Sequence, residues 1–352
     1  MDVVSGGELY GAMHVNFPME RVYFHGNNKT KKELEMALEA GVGTIIVDNP
    51  MECDALCELA TTLNLGCDVM FRLNPGIEAH THQYIVTAHI DSKFGVSIQE
   101  MDVIMDMITN VMQHDKLTFR GFHAHIGSQI FDENAYVAEI ETLMNFMQKI
   151  EHRLHIKIPA LNLGGGFAAT YTSEDAPIPL PRVCEVILDT CTKMKETYAL
   201  SLEQILIEPG RSIVAEAGIT LYEIGYQKKT PHRHYVFVDG GMSDNIRPAL
   251  YQAKYSCDLA NHMDEEKTQL VTVAGKCCES GDILAEDVLL PACTQGDILV
   301  MYTTGAYGYS MASNYNRATK LPVVFVKDGK ARFVIRKETY EDLHHLECDE
   351  VI

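Results

Sequence analysis

Short apolar runs recur through the first part of the chain, each ending in Gly, Asp, Asn or His and followed by a helix-length amphipathic stretch. The runs are Val3-Val4, Val22–Phe24, Thr44–Val47, Val69–Phe71, Phe119–Phe122, Ala160–Leu163 and Ile205–Ile207. Between them lie Lys31–Ala40, Glu52–Leu63, Ile98–His114, Glu133–His155 and Pro181–Tyr198, whose apolar residues return at spacings of three and four, as amphipathic helices require. Buried strand alternating with helix predicts βα units around a parallel sheet. Near Ile219 the rhythm changes to closely spaced strand-like runs: Thr220–Gln227, His234–Val238, Gln269–Val273, Asp297–Tyr302, Leu321–Lys327 and Ala331–Ile335. Asp328-Gly329-Lys330 between the last two predicts a hairpin. The pattern thus predicts an α/β barrel domain over 1–218 and a mostly antiparallel β domain over 219–352. The charged segment Arg336–Glu350 reads as a terminal strand and loop.

An open doubly wound sheet would gather its functional glycines at one switch point. Here polar or Gly-rich sequence follows almost every run: Ser5-Gly6-Gly7, His25–Asn28, Asp48-Asn49, Asn74-Pro75-Gly76, His123–Gln129, Gly164–Gly166 and Glu208–Arg211. A TIM-like barrel, whose strand tips share one face, explains that spread. Such a barrel needs eight strands, and the runs number seven.

Charge narrows the partners. Lys+Arg 29 against Asp+Glu 49 gives a net charge of −20, which argues against nucleic acid or an anionic membrane as a partner. No apolar run of roughly 18 residues occurs, and Met1–Gly7 lacks the features of a secretion signal, so a cytoplasmic protein is expected. Ten cysteines are scattered without a CxxC pair and read as free thiols.

Three strand tips carry candidate chemistry. Gly164-Gly165-Gly166 offers adjacent backbone N–H groups that can wrap a phosphate, or simply a tight turn. Glu208-Pro209-Gly210-Arg211 leaves a carboxylate suited to holding a proton on a heteroaromatic nitrogen, and a guanidinium suited to phosphate or carboxylate; the bland alternative is a surface ion pair. His123-Ala124-His125 could bind a metal if both rings share a strand face, but the late tip offers no matching ligand set. The other reading has one histidine stacked on a flat cofactor with Ser128 at its phosphate. No metal is expected. Later blocks, Asp239–Tyr251, Cys277–Asp282 and Gly305–Tyr309, are Gly-rich loops with Arg, Tyr, Cys and Glu available to a ligand.

In this order the blocks resemble the alanine-racemase-like, fold-type III pyridoxal-phosphate (PLP)-dependent decarboxylases, and most closely the branch acting on diaminopimelate. The match runs from Asp2–Leu9 through Phe24–Lys29, Ser92–Gly95, the His125 block, Gly164–Phe167, Glu208–Arg211 and Cys278–Asp282 to Arg336–Leu343, essentially the whole chain. The resemblance implies decarboxylation of meso-2,6-diaminopimelate to L-lysine, with PLP as cofactor and an amino acid as small-molecule partner. It implies that His125 stacks on the pyridine ring, that Ser128, Gly164, Gly165, Gly166, Gly210, Arg211 and Tyr307 hold the cofactor, and that Glu208 pairs with the pyridine nitrogen. Arg211, Arg247, Tyr251 and Tyr307 would bind substrate with Glu279, which would take the distal ammonium. Cys278 of the second subunit of a homodimer would assist protonation.

The family attaches PLP through a lysine in a Tyr-Ala-x-Lys-type block upstream of the Asp-Val-Val-Ser-Gly-Gly segment, where this sequence starts. The expectation is that the first βα unit, that lysine and an N-terminal strand of the β domain are missing, through a gene-start error or truncation. Lys29 and Lys93 occur in blocks the family has alongside that lysine and do not replace it. The alternative is a lysine-free, non-catalytic paralogue that binds a ligand or a catalytic partner.

Overall fold

Each of the first seven predicted runs becomes a parallel strand in the computed structural model, which describes residues 1–77 and 92–348. The strands are β1 (Asp2–Val3), β2 (Tyr23–Phe24), β3 (Thr44–Val47), β4 (Cys67–Asn74), β5 (Val96–Ser97), β6 (Leu117–His123), β7 (Ala160–Asn162) and β8 (Gln204–Leu206). They pair in the order β1-β2-β3-β4-β6-β7-β8, a curled, TIM-like arc with β1 and β8 at its ends. β5 pairs with β4 off this path; at two residues it is too short to leave a pattern.

Helices α1 (Gly6–His14), α2 (Lys31–Ala40), α3 (Pro50–Leu63), α4 (Met101–Met112), α5 (Glu133–Leu154) and α6 (Leu180–Tyr198) connect them. α2 has its predicted bounds because its ends are written locally. Thr30 and Glu33 form a reciprocal capping box, and Gly41 closes the helix in the left-handed region. α5 buries Ile140, Leu143, Met144, Met147 and Ile150, the stripe its periodicity predicts. Phe71 of β4 stacks on Phe119 of β6 with centroids 5.4 Å apart, and Phe119–Phe122 and Phe122–Phe146 meet edge to face at 5.5 and 5.6 Å. The buried rings of Phe71, Phe122 and Phe146 each contribute about 1.5–3 kcal/mol by leaving water.

Three ionisable groups interrupt this core. Lys29 Nζ contacts Glu52 at 2.7 Å and donates to the carbonyls of Gly26 and Ile46, each at 2.7 Å. Burial pushes the Glu52 carboxyl up to about 7 against the pull of Lys29, and lowers the amine. Glu139, on α5, is fully buried with neither oxygen hydrogen-bonded, and burial raises its pKa well above the usual range.

The second compact unit takes Ala169–Ala176 and the chain from Gly210 onward, so the division falls at Pro209/Gly210 and not at 218/219. Local bonds explain the shift. Gly305 N–H donates to Ala215 at 3.0 Å and Thr304 N–H to Gly218 at 2.9 Å, while the Tyr171 carbonyl accepts from Ser256 N–H at 3.0 Å. These ties bind 210–218 and 169–176 to the β domain. Its helices are α7 (Arg211–Val214) and α8 (Arg247–Tyr251). Its main sheet comprises β9 (Thr220–Lys229), β10 (His234–Val238), β11 (Cys257–Leu259), β12 (Gln269–Ala274), β13 (Ile283–Leu290) and β14 (Ile298–Met301), in the order β11-β14-β9-β10-β12-β13. Only β10–β12 is parallel among these pairs. The hairpin β15 (Val323–Lys327) and β16 (Lys330–Ile335) turns through Asp328 and Gly329 at φ 52° and 71°, the left-handed pair of a type I′ turn.

The terminal strand expected from Arg336 onward does not form. A 3₁₀ turn at Glu341–Leu343 replaces it, because Asp342 accepts from the Arg336 guanidinium and from Thr339 N–H at 2.8 Å and so curls the segment on itself. Glu350 lies outside the described residues. Among the described residues no helix is long and apolar enough to cross a membrane, and all ten cysteines are free thiols.

Candidate active site

Glu208 follows β8, and the β7–β8 ladder extends to it: Leu163 N–H donates to Leu206 at 3.0 Å, and Glu208 N–H to Gly164 at 2.7 Å. The backbone therefore fixes where the carboxylate starts. Asn162, the last residue of β7, donates from Nδ2 to Glu208 Oε1 at 2.8 Å. His25, just past β2, and His123, ending β6, each bring Nε2 to 3.3 Å from the same oxygen. Their rings meet edge to face with centroids 4.9 Å apart. Burial opposes the Glu208 charge, but the surrounding nitrogens outweigh it and hold the carboxyl well below the usual range. Burial also drives the pKa of His123 down to about 4, against the pull of Glu208.

The Gly loop packs against the backbone of Glu208. A Cβ on Gly164 (φ 63°) would lie 2.6 Å from the Ala124 carbonyl and 2.8 Å from His125 Nδ1, and one on Gly165 would lie 2.4 Å from the Glu208 carbonyl. Glycine is required at both. The loop does not present three free donors, however. Gly164 N–H bonds Asn162 Oδ1 at 2.9 Å and Gly165 N–H bonds His125 Nδ1 at 3.1 Å. The second bond makes Nδ1 an acceptor and fixes the His125 tautomer; burial lowers this ring's pKa to about 4 as well. Ser128 is half-buried in the same turn.

His123 and His125 do not act as a pair. β6 ends at His123, so the two-residue alternation that would put both rings on one face stops there. His123 meets Glu208 while His125 meets Gly165.

In the second unit Arg211 and Arg247 are 8% and 3% exposed. Arg211 Nη1 donates to the Tyr171 hydroxyl at 2.5 Å, and Arg247 Nη1 to the Tyr255 hydroxyl at 2.7 Å. Tyr171 and Tyr255 cross at right angles with centroids 5.1 Å apart. Tyr307 lies under both guanidiniums, at 4.7 Å from Arg211 and 5.8 Å from Arg247, and Tyr251 is 6.0 Å from Arg247. Gly210 precedes α7, with open space where a Cβ would stand.

Cys278 is exposed, and Glu279 beside it is tied to the Tyr315 hydroxyl through Oε1, while its buried Oε2 has no hydrogen-bond partner. Sequence reasoning passed over His25, His123 and Asn162 as partners of Glu208, and Tyr171 and Tyr255 as partners of the arginines. The first three end or follow strands, a position that was legible; the tyrosines have no motif around them.

The sheet arc, its charged tips and the glycine loop define a PLP-binding barrel. A family profile described as "Pyridoxal-dependent decarboxylase, pyridoxal binding domain" matches residues 1–215, and the chain belongs to that family. Within it the chain is 47% identical to the diaminopimelate decarboxylase of Bacillus subtilis (strain 168) over 348 residues, 99% of this chain and 79% of the relative. The Staphylococcus aureus (strain COL) diaminopimelate decarboxylase is 45% identical over 97% of this chain and 80% of its own length. Among solved structures, the diaminopimelate decarboxylase of M. jannaschii in complex with L-lysine superposes with a TM-score of 0.91 at 34% identity, covering 100% of this chain and 79% of that one. The Helicobacter pylori enzyme, also with L-lysine, gives 0.89 at 33%, covering 98% and 83%.

Proposed function

We propose that this site decarboxylates meso-2,6-diaminopimelate to L-lysine with PLP. The observation that carries the reading is Glu208, a half-buried carboxylate held ionised by the nitrogens around it, with Asn162 donating to Oε1 at 2.8 Å and the His25 and His123 Nε2 atoms each 3.3 Å from the same oxygen. Oε2 is the oxygen left to face a pyridinium N–H. When bound, PLP supplies a conjugated ring that takes up the electron pair left as CO₂ departs. Glu208 holds the proton on the ring nitrogen that makes this possible. His125 lies on the ring face, and Gly166 N–H, with Ser128 and Tyr307, takes the phosphate. Arg211, Arg247 and Tyr251 take the distal carboxylate, and Glu279 the distal ammonium. Cys278, reaching the site of the other subunit in a cytoplasmic homodimer, supplies a proton to the product. Retention of an electron-sink partner favours an enzyme over a binding paralogue.

Lys29 is not the amine that captures PLP, because its Nζ is already divided among Glu52 and two carbonyls. Borohydride reduction with PLP should leave no stoichiometric pyridoxyl adduct on Lys29 or Lys93; mass spectrometry locating one would refute this. The function itself is tested by CO₂ release from meso-diaminopimelate. Glu208→Gln should lower it roughly 100-fold or more with PLP still bound. Undiminished turnover would overturn the assignment.

A further inference from the structure

The groups that crowd Glu208 Oε1 also form a donor set. One ligand atom from each of His25, His123 and Glu208 lies within 4.8 Å of the others, and both Nε2–Oε1 separations are 3.3 Å. A tetrahedral ion with bonds of about 2.0–2.1 Å has ligand–ligand edges of about 3.3 Å, so two edges already have the required length. The two imidazoles are 6% and 1% exposed, and neither Nε2 makes an aligned hydrogen bond. Buried nitrogens left without a partner are costly, and a shared ion would satisfy both at once.

We propose that, when no pyridine ring is in place, His25, His123 and Glu208 bind a divalent ion of the zinc class, and that this ion and PLP exclude each other. The exclusion rests on the reading of Glu208 given above; the metal site does not. Two imidazoles and one carboxylate with an open fourth position suit zinc or cobalt and disfavour magnesium or calcium, which take oxygen ligands. Asp2 Oδ1 lies 4.0 Å from His25 Nε2, longer than such an edge, so the fourth position is left to water. Bound metal neutralises the carboxylate that the pyridinium needs, which makes the ion an inhibitor of cofactor loading.

The test adds Co²⁺ to chelator-treated, PLP-free protein and follows the intense visible bands of tetrahedral cobalt. One equivalent should bind, Zn²⁺ should displace it, and His25→Gln and His123→Asn should each weaken binding at least tenfold. Circular dichroism confirms that both variants fold, and His123→Gln replaces any that does not. PLP, followed by its own absorbance, should abolish the cobalt bands. Absent tetrahedral bands, or binding unchanged in folded variants of both histidines, would overturn the metal site. PLP and cobalt bound together would overturn the exclusion. PLP failing to bind would count against the functional reading alone, since the cobalt titrations decide the metal site independently.

Discussion

The two units each bury charge, and they do so by opposite means. In the sheet arc a single carboxylate, Glu208, is surrounded by nitrogens that contact it directly: Asn162 at 2.8 Å and two imidazoles at 3.3 Å. In the β domain two guanidiniums are held by tyrosines, through hydroxyls at 2.5 and 2.7 Å and through ring faces. Aromatic faces attract a cation without cancelling it. Among the described residues Arg247 has no carboxylate in ion-pair contact, so its charge remains available to a ligand. The first arrangement holds an anion ionised; the second leaves the Arg247 cation without a counter-charge, as the proposed binding of the substrate's distal carboxylate requires.

The sharpest way to break this contrast is Arg247→Met. If its charge serves the substrate's distal carboxylate, kcat/KM for diaminopimelate should fall roughly 100-fold, while any trace activity on lysine stays nearly unchanged. Equal losses on both would place Arg247 in the support of the fold.

A pH series tests the other half. His123 and His125 have their pKa lowered to about 4, against 6.5 unperturbed. Between those values the unfolded chain binds more protons than the folded one, so the histidines' contribution is whole above pH 6.5 and is lost as pH falls toward 4. Urea unfolding across this window should show stability dropping by a few kcal/mol, on the order expected for two such shifts. His123→Gln should flatten the slope. A slope identical to wild type would mean that His123 carries its proton in the folded state.

The smallest effect concerns Glu139, a buried acid with no imidazole to support it. Its raised pKa means that the folded state binds the extra proton, so stability falls as pH rises above the unfolded value near 4.5. Glu139→Gln should therefore raise the thermal midpoint at pH 7, by about 1 kcal/mol or more in stability. A lowered midpoint would show that the carboxylate has an essential partner.

What could be read in advance follows from how local each signal is. α2 and the strand at His234–Val238 have their predicted bounds because caps and alternation lie within the elements themselves. α1 was hidden because Ser5-Gly6-Gly7 reads as a loop, although the Ser5 hydroxyl accepts from Glu8 N–H at 3.2 Å and starts a helix there. β11 and β13 gave no run distinct enough to single out. The boundary at Pro209/Gly210 and the transfer of Ala169–Ala176 depend on bonds to residues far along the chain, which no window reveals. In the candidate site, the place of Glu208 at a strand tip was legible, whereas the different neighbours of His123 and His125 required knowing where β6 stops.

The β15–β16 hairpin bears on how the protein behaves as a colloid. Phe325 is 57% exposed, Val326 73% and Phe333 70%, on strands that pair only with each other. At neutral pH the net charge of −20 keeps molecules apart and these surfaces from meeting. As acid titrates the carboxylates that repulsion fades, while the hairpin's apolar side chains do not change. Precipitation on mild acidification should then begin at this hairpin, before any strand of the arc has opened.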